Sequence, residues 1–296
     1  MSVSKPKKSR FKAKISDKKL EADRIALVER AILEDVGNGD VTADLVSAAA
    51  MAQATVVVRE PIVLCGIDWF DEVFRQIDDD IQITWHVEEG ARVAADQTVC
   101  TLDGTARSLL TGERTALNFL QTLTGTATTT ASYVDIVADT GCRLLDTRKT
   151  IPGLRLAQKY AARIGGAVNH RIGLFDAILI KENHIASAGS LAAAVRAARA
   201  ANPALPVEIE VENLVQAESA MDTGVERILL DNFSLEDLRA AVALNQETGG
   251  HCELEASGGI EGDGLLAVAE TGVDFISIGA LTKHVRAADF SMRFKF

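Results

Sequence analysis

Several features that mark other classes of protein are scarce or missing in this sequence. Aromatic residues make up only 5% of the chain, which argues against base-stacking surfaces for single-stranded nucleic acid. No apolar run approaches the roughly 18 residues of a transmembrane helix. The cysteines Cys65, Cys100, Cys142 and Cys252 lie too far apart for a CxxC motif or a metal-ligand cluster. We therefore expect buried, reduced thiols in a cytoplasmic protein.

The charge of the chain is unevenly distributed. Its formal net charge is −11, which argues against general affinity for DNA or for anionic membranes. Residues 1–19, however, carry eight Lys or Arg against a single acid, Asp17, and so leave −18 for residues 20–296. This composition predicts a disordered basic tail over 1–19, the alternatives being a transit peptide or an arm that binds nucleic acid.

The region from residue 20 to 125 is predicted to combine helices and strands. Apolar side chains recur at helical spacing from about Leu20, until the Gly-Asn-Gly-Asp segment at 37–40 interrupts them. Four strand-like runs follow, at 54–58, 62–66, 81–87 and 98–102. A turn is predicted at 88–93 and a long helix from near Arg107. Runs of strands flanked by helices are typical of an α+β arrangement.

Beyond residue 125, strand and helix patterns alternate. Six apolar runs predict strands, at 143–146, 177–180, 207–211, 227–230, 252–256 and 275–279. Ala-rich helical segments lie between most of them. Such repeats predict right-handed βαβ units with a parallel sheet, and six of them favour a barrel over an open sheet.

Charged, polar or small residues occur where each of these six strands ends. They are Thr147, Arg148, Lys149, Lys181, Glu210, Asp231, Ser257, Gly258, Gly259, Gly279 and Ala280. Because the carboxyl ends of parallel strands meet at one rim of a barrel, we expect these residues to form an active site there. The glycines and the serine among them fit a backbone cradle for phosphate.

The stretch from 148 to 181 is strongly basic, with seven Arg or Lys against one acid, Asp176. Burying unpaired cations at the rim would be unfavourable, so the stretch predicts a ligand with several negative charges, including phosphate. Arg155, Lys159 and Arg163 are spaced four residues apart and either belong to this site or form a solvent-facing helix face.

Three glutamates, Glu208, Glu210 and Glu212, alternate along one predicted strand and therefore share one of its faces. Glu210 and Asp231, on neighbouring strand ends, suit three kinds of ligand: Mg²⁺, ribose hydroxyls or a developing cation. The alternative is that both carboxylates form ion pairs with the Arg and Lys of the same site.

Seven segments of the chain resemble one protein family. The longest is DTRKTIPGLRLAQKYAARIGGAVNHRIGLFDAILIKENH at 146–184, and the others lie at 33–45, 112–121, 207–216, 229–233, 254–260 and 272–285. Together they make the sequence similar to quinolinate phosphoribosyltransferases from about residue 20 onwards. Departures are few: Ala167 replaces a glycine, Glu182 an aspartate, and Thr124-Gly125-Thr126 a Ser-Gly-Ile sequence.

The resemblance implies an α/β fold with two domains. An N-terminal α/β sandwich is expected at 20–125, joined by 286–296, and a C-terminal open, incomplete α/β barrel at 126–285. The family implies a pentosyltransferase homodimer whose site is completed across the interface. The expected reaction, part of NAD biosynthesis, uses quinolinate, 5-phosphoribosyl-1-pyrophosphate and the cofactor Mg²⁺, and yields nicotinate mononucleotide, pyrophosphate and CO₂.

The roles of the family's site residues carry over to matching positions of this chain. The residues implied to grip the two quinolinate carboxylates are Arg148, His170, Arg171 and, from the other subunit, Arg114. Those implied to act on the transferred group are Lys149 and Lys181, between quinolinate and diphosphate, and Glu210 and Asp231, on the ribose and Mg²⁺, with Glu212 as second choice for Glu210. Those implied to hold the phosphates are Ser257, Gly258, Gly259, Gly279, Ala280 and Leu281, and Thr147 is implied to bind substrate.

Two alternatives use the same scaffold. One is a related phosphoribosyltransferase-like protein that acts on another anionic or pyridine acceptor, such as nicotinate. The other is a non-catalytic protein that binds phosphosugars. Paired arginines favour the dicarboxylate quinolinate, and the complete set of rim cations, carboxylates and glycines favours catalysis over binding alone.

Overall fold

The computed structural model describes residues 11, 15–260, 262 and 264–295. These residues divide into two compact units. The sandwich unit comprises the described residues of 15–132, 150–166 and 281–295, and the barrel unit those of 133–149 and 167–280 together with Phe11. The domain limits expected at 125/126 and 285/286 stay predictions.

The helices of the sandwich unit are α1 (Asp17–Val36), α2 (Ile67–Ile77), most of α3 (Ala106–Val137) and α4 (Arg155–Ile164), with a short 3-10 helix at Ala43–Leu45. Helix α1 begins three residues before Leu20, because the Ser16 hydroxyl accepts a hydrogen bond from the Lys19 amide (3.3 Å) and caps the first turn. The prediction of a disordered tail is therefore wrong for residues 17–19. Residues 1–10 and 12–14 lie outside the described residues.

The strands of the sandwich unit form two antiparallel sheets. The larger has the order β12 (Phe290–Lys295), β1 (Met51–Val58), β5 (Thr98–Thr105) and β3 (Gln82–Trp85), and the smaller pairs β2 (Ile62–Val63) with β4 (Arg92–Val93). Strand β4 lies where a turn alone was predicted, since two residues of that loop pair with Ile62 and Val63. Helix α2 buries Trp69, Phe70 and Phe74 in this unit's core. Each such side chain contributes roughly 1.5–3 kcal/mol through the surface it removes from water.

The barrel unit alternates strands and helices. Its strands are β6 (Arg143–Leu145), β7 (Ile178–Ile180), β8 (Val207–Val211), β9 (Arg227–Asp231), β10 (Glu253–Ser257) and β11 (Phe275–Ser277). Its helices are α5 (Glu182–Ala188), α6 (Leu191–Ala201), α7 (Leu214–Met221), α8 (Leu235–Glu247) and α9 (Gly264–Ala269), and α10 (Ala280–Lys283) begins at its last residue.

The six strands pair in the order β6-β11-β10-β9-β8-β7, and every pairing is parallel. Because no pairing joins β6 to β7 among the described residues, the barrel is open between its first two strands. The six predicted strands and the open α/β barrel are thus confirmed. Strands β9 and β10 are buried at four of five positions, and the buried positions include the charged residues Arg227, Glu253 and Glu255.

Two expectations from composition can be compared with the structure. All four cysteines are buried and without a disulfide, which confirms the prediction of buried thiols. Among the described residues, none of the helices has the length and apolar character that a membrane crossing requires.

Candidate active site

The residues that end the six parallel strands lie at one rim of the barrel, as the sequence predicts. Thr147, Arg148 and Lys149 follow β6, Lys181 follows β7, Glu210 lies near the end of β8, Asp231 ends β9, Ser257 ends β10, and Gly279 follows β11. The strand register aligns them further, since Asp231 pairs directly with Ser257. The rim therefore combines cations, carboxylates and flexible backbone within a single site.

Two arginines at this rim are half-buried. Arg148 belongs to the loop after β6, and Arg171 to the loop that follows the bridge between Leu145 and Val168. Burial, followed by the positive charge of the nearby Arg148, lowers the pKa of Arg171. Two guanidinium groups held this close repel each other, so the arrangement favours a ligand with two negative charges.

Lys181 and Glu210 form an ion pair through Nζ and Oε2. The Glu210 side chain is 14% exposed and that of Lys181 44%, so the pair faces the solvent side of the rim. Lys181 also caps α5, where its amide donates a hydrogen bond to Nδ1 of His184 (3.0 Å). Glu212, two residues further along, is exposed and forms no ion pair with the described residues of the rim. The geometry thus distinguishes Glu210 from Glu212.

Asp231 is fixed by the residue that follows it. The Asn232 side-chain amide donates to Oδ2 of Asp231 (2.8 Å), while its backbone amide donates to the Ser257 carbonyl (2.9 Å). Asn232 has a φ of +56°, an uncommon value for a residue other than glycine. Gly258 has a φ of +108°, and a Cβ there would collide with Oδ1 of Asn232. Glycine is therefore required at the end of β10.

Lys149 lies against the end of β11. Its amide donates a hydrogen bond to Oγ1 of Thr147 (3.0 Å), and a Cβ on Gly279 would approach Cδ of Lys149 to 2.9 Å. The loops after the first and last strands of the barrel are therefore in contact, as the pairing of β6 with β11 requires.

His170 is buried beneath the rim, with 8% of its side chain exposed. Its Nε2 lies 3.0 Å from Oε2 of Glu208 and 3.4 Å from Oε2 of Glu255, and its Nδ1 accepts a hydrogen bond from the Arg171 amide (2.7 Å). Burial opposes a charged ring, but the two carboxylates raise the pKa of His170 to about 10. The Arg171 amide, in contrast, opposes a proton on Nδ1. In either charge state Nε2 carries a proton and points it at the carboxylates.

The remaining candidate residues lie in the sandwich unit. Arg114 is exposed on α3, and Leu281 is buried in α10. Lys159 is fully buried on α4, so Arg155, Lys159 and Arg163 do not form a solvent-facing helix face. Arg163 is exposed and its guanidinium lies 5.3 Å from the Tyr160 ring centroid.

A buried charge cluster inside the barrel was not anticipated from the sequence. Arg227, at the start of β9, contacts Glu253 (2.9 Å) and Glu255 (3.3 Å) on β10, and both Glu255 and Glu208 lie against His170. A usable signal was present, because three neighbouring strands carry charges at positions expected to be apolar. These contacts join residues far apart in the chain, however, and only the strand register brings them together.

Both parts of the chain match sequence profiles of one protein family. Residues 40–124 match the family profile of the quinolinate phosphoribosyl transferase N-terminal domain, and residues 126–293 that of its C-terminal domain. The chain is 43% identical to a carboxylating nicotinate-nucleotide pyrophosphorylase of Mycobacterium leprae, covering 94% of this chain and 99% of the relative. It is 38% identical to the human enzyme of that name, covering 90% of each chain.

Solved structures agree with the sequence comparison. The nicotinate-nucleotide pyrophosphorylase from Francisella tularensis superposes with a TM-score of 0.91 at 46% identity, covering 96% of this chain and 98% of that one. The chain belongs to the quinolinate phosphoribosyltransferase family. It is an enzyme of the pentosyltransferase class, with the carboxylating nicotinate-nucleotide pyrophosphorylase activity that supplies NAD biosynthesis from quinolinate.

Proposed function

We propose that the barrel rim binds quinolinate and 5-phosphoribosyl-1-pyrophosphate side by side and converts them to nicotinate mononucleotide, pyrophosphate and CO₂. The observation that carries this proposal is the pair of half-buried arginines, Arg148 and Arg171, at the same barrel rim as the carboxylates Glu210 and Asp231. The arginines suit a dicarboxylate acceptor. The carboxylates suit a ribose whose reacting carbon becomes positive.

The acceptor occupies the β6 side of the rim in this proposal. Arg148 and Arg171 each bind one quinolinate carboxylate, and the ligand's two negative charges relieve the repulsion that lowers the pKa of Arg171. His170 lies beneath the acceptor side of the rim, where its Nδ1 accepts a hydrogen bond from the Arg171 amide. Arg114, which is exposed on the sandwich unit, acts from the partner subunit, as the family resemblance implies.

The phosphoribosyl donor occupies the remaining strand ends. Lys149 and Lys181 lie between the acceptor and the diphosphate, where their charges oppose those of the leaving group. The donor's phosphates are held by backbone amides and hydroxyls at Thr147, Ser257, Gly258, Gly259, Gly279, Ala280 and Leu281. The positive φ of Gly258 and Gly259 supports this assignment, since such turns expose backbone amides to anions.

Glu210 and Asp231 are the residues we propose for Mg²⁺ and the ribose hydroxyls. They fit the ion, because Mg²⁺ is usually bound through one or two carboxylates together with substrate phosphates. Lys181 occupies Oε2 of Glu210, and Asn232 occupies Oδ2 of Asp231, which leaves one oxygen of each carboxylate for ligands. When bound, Mg²⁺ would neutralise charge on the diphosphate as it leaves.

The reaction needs no strong general base. The bond between ribose C1 and the pyrophosphate oxygen breaks with its electron pair going to pyrophosphate, and the pyridine nitrogen's lone pair forms the new bond to C1. The resulting cationic ring then accepts the electron pair of the bond to the adjacent carboxylate. CO₂ leaves and a proton takes its place on the ring. The enzyme contributes positioning and electrostatic stabilisation.

We further propose a cytoplasmic homodimer. Exposed apolar side chains occur on both units, at Val41, Leu45 and Met51 in one and Leu174 and Phe175 in the other. Apolar surface of this kind marks sites of protein association. The four buried, free cysteines support a reducing compartment.

An assay that follows two products together tests the proposed reaction. Nicotinate mononucleotide and CO₂ should form in equal amounts from quinolinate and 5-phosphoribosyl-1-pyrophosphate, and both should disappear when a chelator removes Mg²⁺. Nicotinate as acceptor should give no product. A folded protein that binds the sugar diphosphate but turns over only nicotinate would place the acceptor in another class.

A further inference from the structure

The buried cluster below the rim contains a carboxylate that the proposed reaction does not use. Glu208 is completely buried, and neither of its oxygens has a hydrogen-bond partner in the described part of the chain. The His170 ring lies 3.0 Å away, and burial followed by the charge of Glu255 raises the pKa of Glu208. A buried carboxylate with so few partners is unfavourable for folding. Its presence at a strand position where valine or isoleucine would be stable therefore calls for a reason other than stability.

The reason lies in the chain of contacts that leads upward from Glu208. Oε2 of Glu208 lies 3.0 Å from Nε2 of His170, and Nδ1 of the same ring accepts a hydrogen bond from the backbone amide of Arg171. The backbone amide of His170 is itself fixed by Asp146 (2.9 Å). The imidazole of His170 thus connects a glutamate of the barrel interior to the backbone of Arg171 at the rim. Its orientation depends on the contacts of both ring nitrogens.

Glu253 provides an internal comparison. It lies on the neighbouring strand, its side chain is 12% exposed, and it forms an ion pair with Arg227 at 2.9 Å. It therefore contributes to the same buried cluster as Glu208, through Arg227, whereas the ion pairs of His170 are with Glu208 and Glu255. Any role in stability is shared by Glu208 and Glu253, whereas the shortest ion pair of His170, at 3.0 Å, is made by Glu208, with Glu255 at 3.4 Å.

We propose that Glu208 is a positioning residue for acceptor binding: by holding His170 against the backbone of Arg171, it fixes the Arg171 guanidinium where a carboxylate of the acceptor binds. This inference rests on the proposed function, because it assigns Arg171 to the acceptor. It makes the interior glutamate a determinant of affinity for quinolinate and not for the phosphoribosyl donor.

The test compares two glutamates and two kinds of replacement. Glu208→Met keeps the volume but removes the acceptor for Nε2 of His170, whereas Glu208→Gln keeps a carbonyl oxygen there. Glu208→Met should raise the KM for quinolinate about tenfold, as expected for a misplaced binding group, with kcat and the KM for the donor within about twofold. Glu208→Gln should restore most of the affinity. Glu253→Met and Glu253→Gln should leave the quinolinate KM unchanged.

Several results would overturn the inference. They are an equal rise in both KM values for Glu208→Met, the same quinolinate effect from Glu253→Met, and no recovery with Glu208→Gln. A stoichiometric divalent metal that the purified protein holds and Glu208→Met loses would also overturn it, since His170, Glu208 and Glu255 have atoms within 4.8 Å of one another and would then be its ligands. If Glu208→Met does not fold, Glu208→Asn, one methylene shorter, should show the same quinolinate-specific rise.

Arg171→Ala distinguishes this inference from the proposed function beneath it. A large quinolinate KM for Arg171→Ala together with a normal one for Glu208→Met would reject the positioning role and keep the acceptor site. A normal quinolinate KM for both variants would reject the acceptor site itself.

Discussion

The interior and the rim of the barrel use the same kinds of charged residue in opposite ways. On strand β8, Glu208 is completely buried while Glu210, two positions further, is 14% exposed. Inside, Arg227 lies within ion-pair distance of two carboxylates of its own chain. At the rim, burial and then the positive charge of Arg148 lower the pKa of Arg171. Inside, the guanidinium is paired with carboxylates, whereas at the rim we propose that the two guanidiniums receive the carboxylates of a substrate.

The largest expected effect comes from breaking the interior network. Arg227→Leu leaves Glu208, Glu253 and Glu255 buried without their guanidinium, and should lower the free energy of unfolding by about 3–5 kcal/mol in urea titrations. Arg143→Leu is the matched control, because both guanidiniums lie over the Phe275 ring (4.5 and 4.3 Å) and Arg143 is exposed. Equal losses from the two variants would show that ring stacking, and not charge, explains the stability.

At the rim, the corresponding change should alter affinity and leave stability nearly intact. Arg148→Ala and Arg171→Ala should each raise the KM for quinolinate roughly 100-fold, the equivalent of ~2–3 kcal/mol for a lost charge-assisted pair. Arg155→Ala, in the same basic stretch but on α4 of the sandwich unit, should change it less than about threefold. Similar KM values for all three variants would contradict the assignment of the acceptor site.

Asn232 offers a smaller effect on the donor side of the rim. Asn232→Gly tolerates the φ of +56° but loses the hydrogen bond to Asp231, and it should raise the KM for 5-phosphoribosyl-1-pyrophosphate about fivefold. Asn232→Ala loses the same bond and adds backbone strain, so it should also lower the free energy of unfolding by ~1 kcal/mol. A donor KM unchanged in Asn232→Gly would show that Asp231 does not depend on this hydrogen bond.

The smallest expected effect compares the carboxyl groups of half-buried Asp71 and fully buried Glu255. Burial raises the pKa of Asp71 to about 6 and outweighs the opposing effects of the Trp85 hydrogen bond and the Arg24 charge. At Glu255 burial is outweighed by His170 and Arg227, which lower the pKa to about 2. Between pH 4 and 6 the folded state holds a proton at Asp71 that the unfolded chain releases, so this residue's contribution to stability falls as pH rises through that window. Asp71→Asn should flatten this slope in urea titrations from pH 4 to 7. An unchanged slope would locate the titrating group elsewhere.

The fold was largely predictable because its signals are local. Each barrel strand is a short apolar run followed by a polar residue, and the strands occur within one or two residues of the predicted limits. The start of α1 was missed because a single cap, Ser16, decides it. Strand β4 was missed because two residues carry no detectable periodicity.

The site was predictable in composition but not in depth. Alternation places Glu208 and Glu210 on one face of β8, but it does not show that the first is buried, that the second is half-buried near the strand end, or that Glu212 lies exposed beyond it. Lys159 shows the same limit, since helical spacing cannot tell a buried lysine from a solvent-facing one. The partners of Arg227 lie 26 and 28 residues away and become neighbours only through strand pairing.

We propose that the rim arginines Arg148 and Arg171 bind the two carboxylates of the acceptor. A crystal structure of the full chain with quinolinate bound would test this assignment directly. We predict one carboxylate on Arg148 and the other on Arg171, with Arg114 of the partner subunit completing the site and His170 still held by Glu208. Quinolinate bound instead against Lys181 and Glu210, with Arg148 and Arg171 making no contact with it, would contradict the claim.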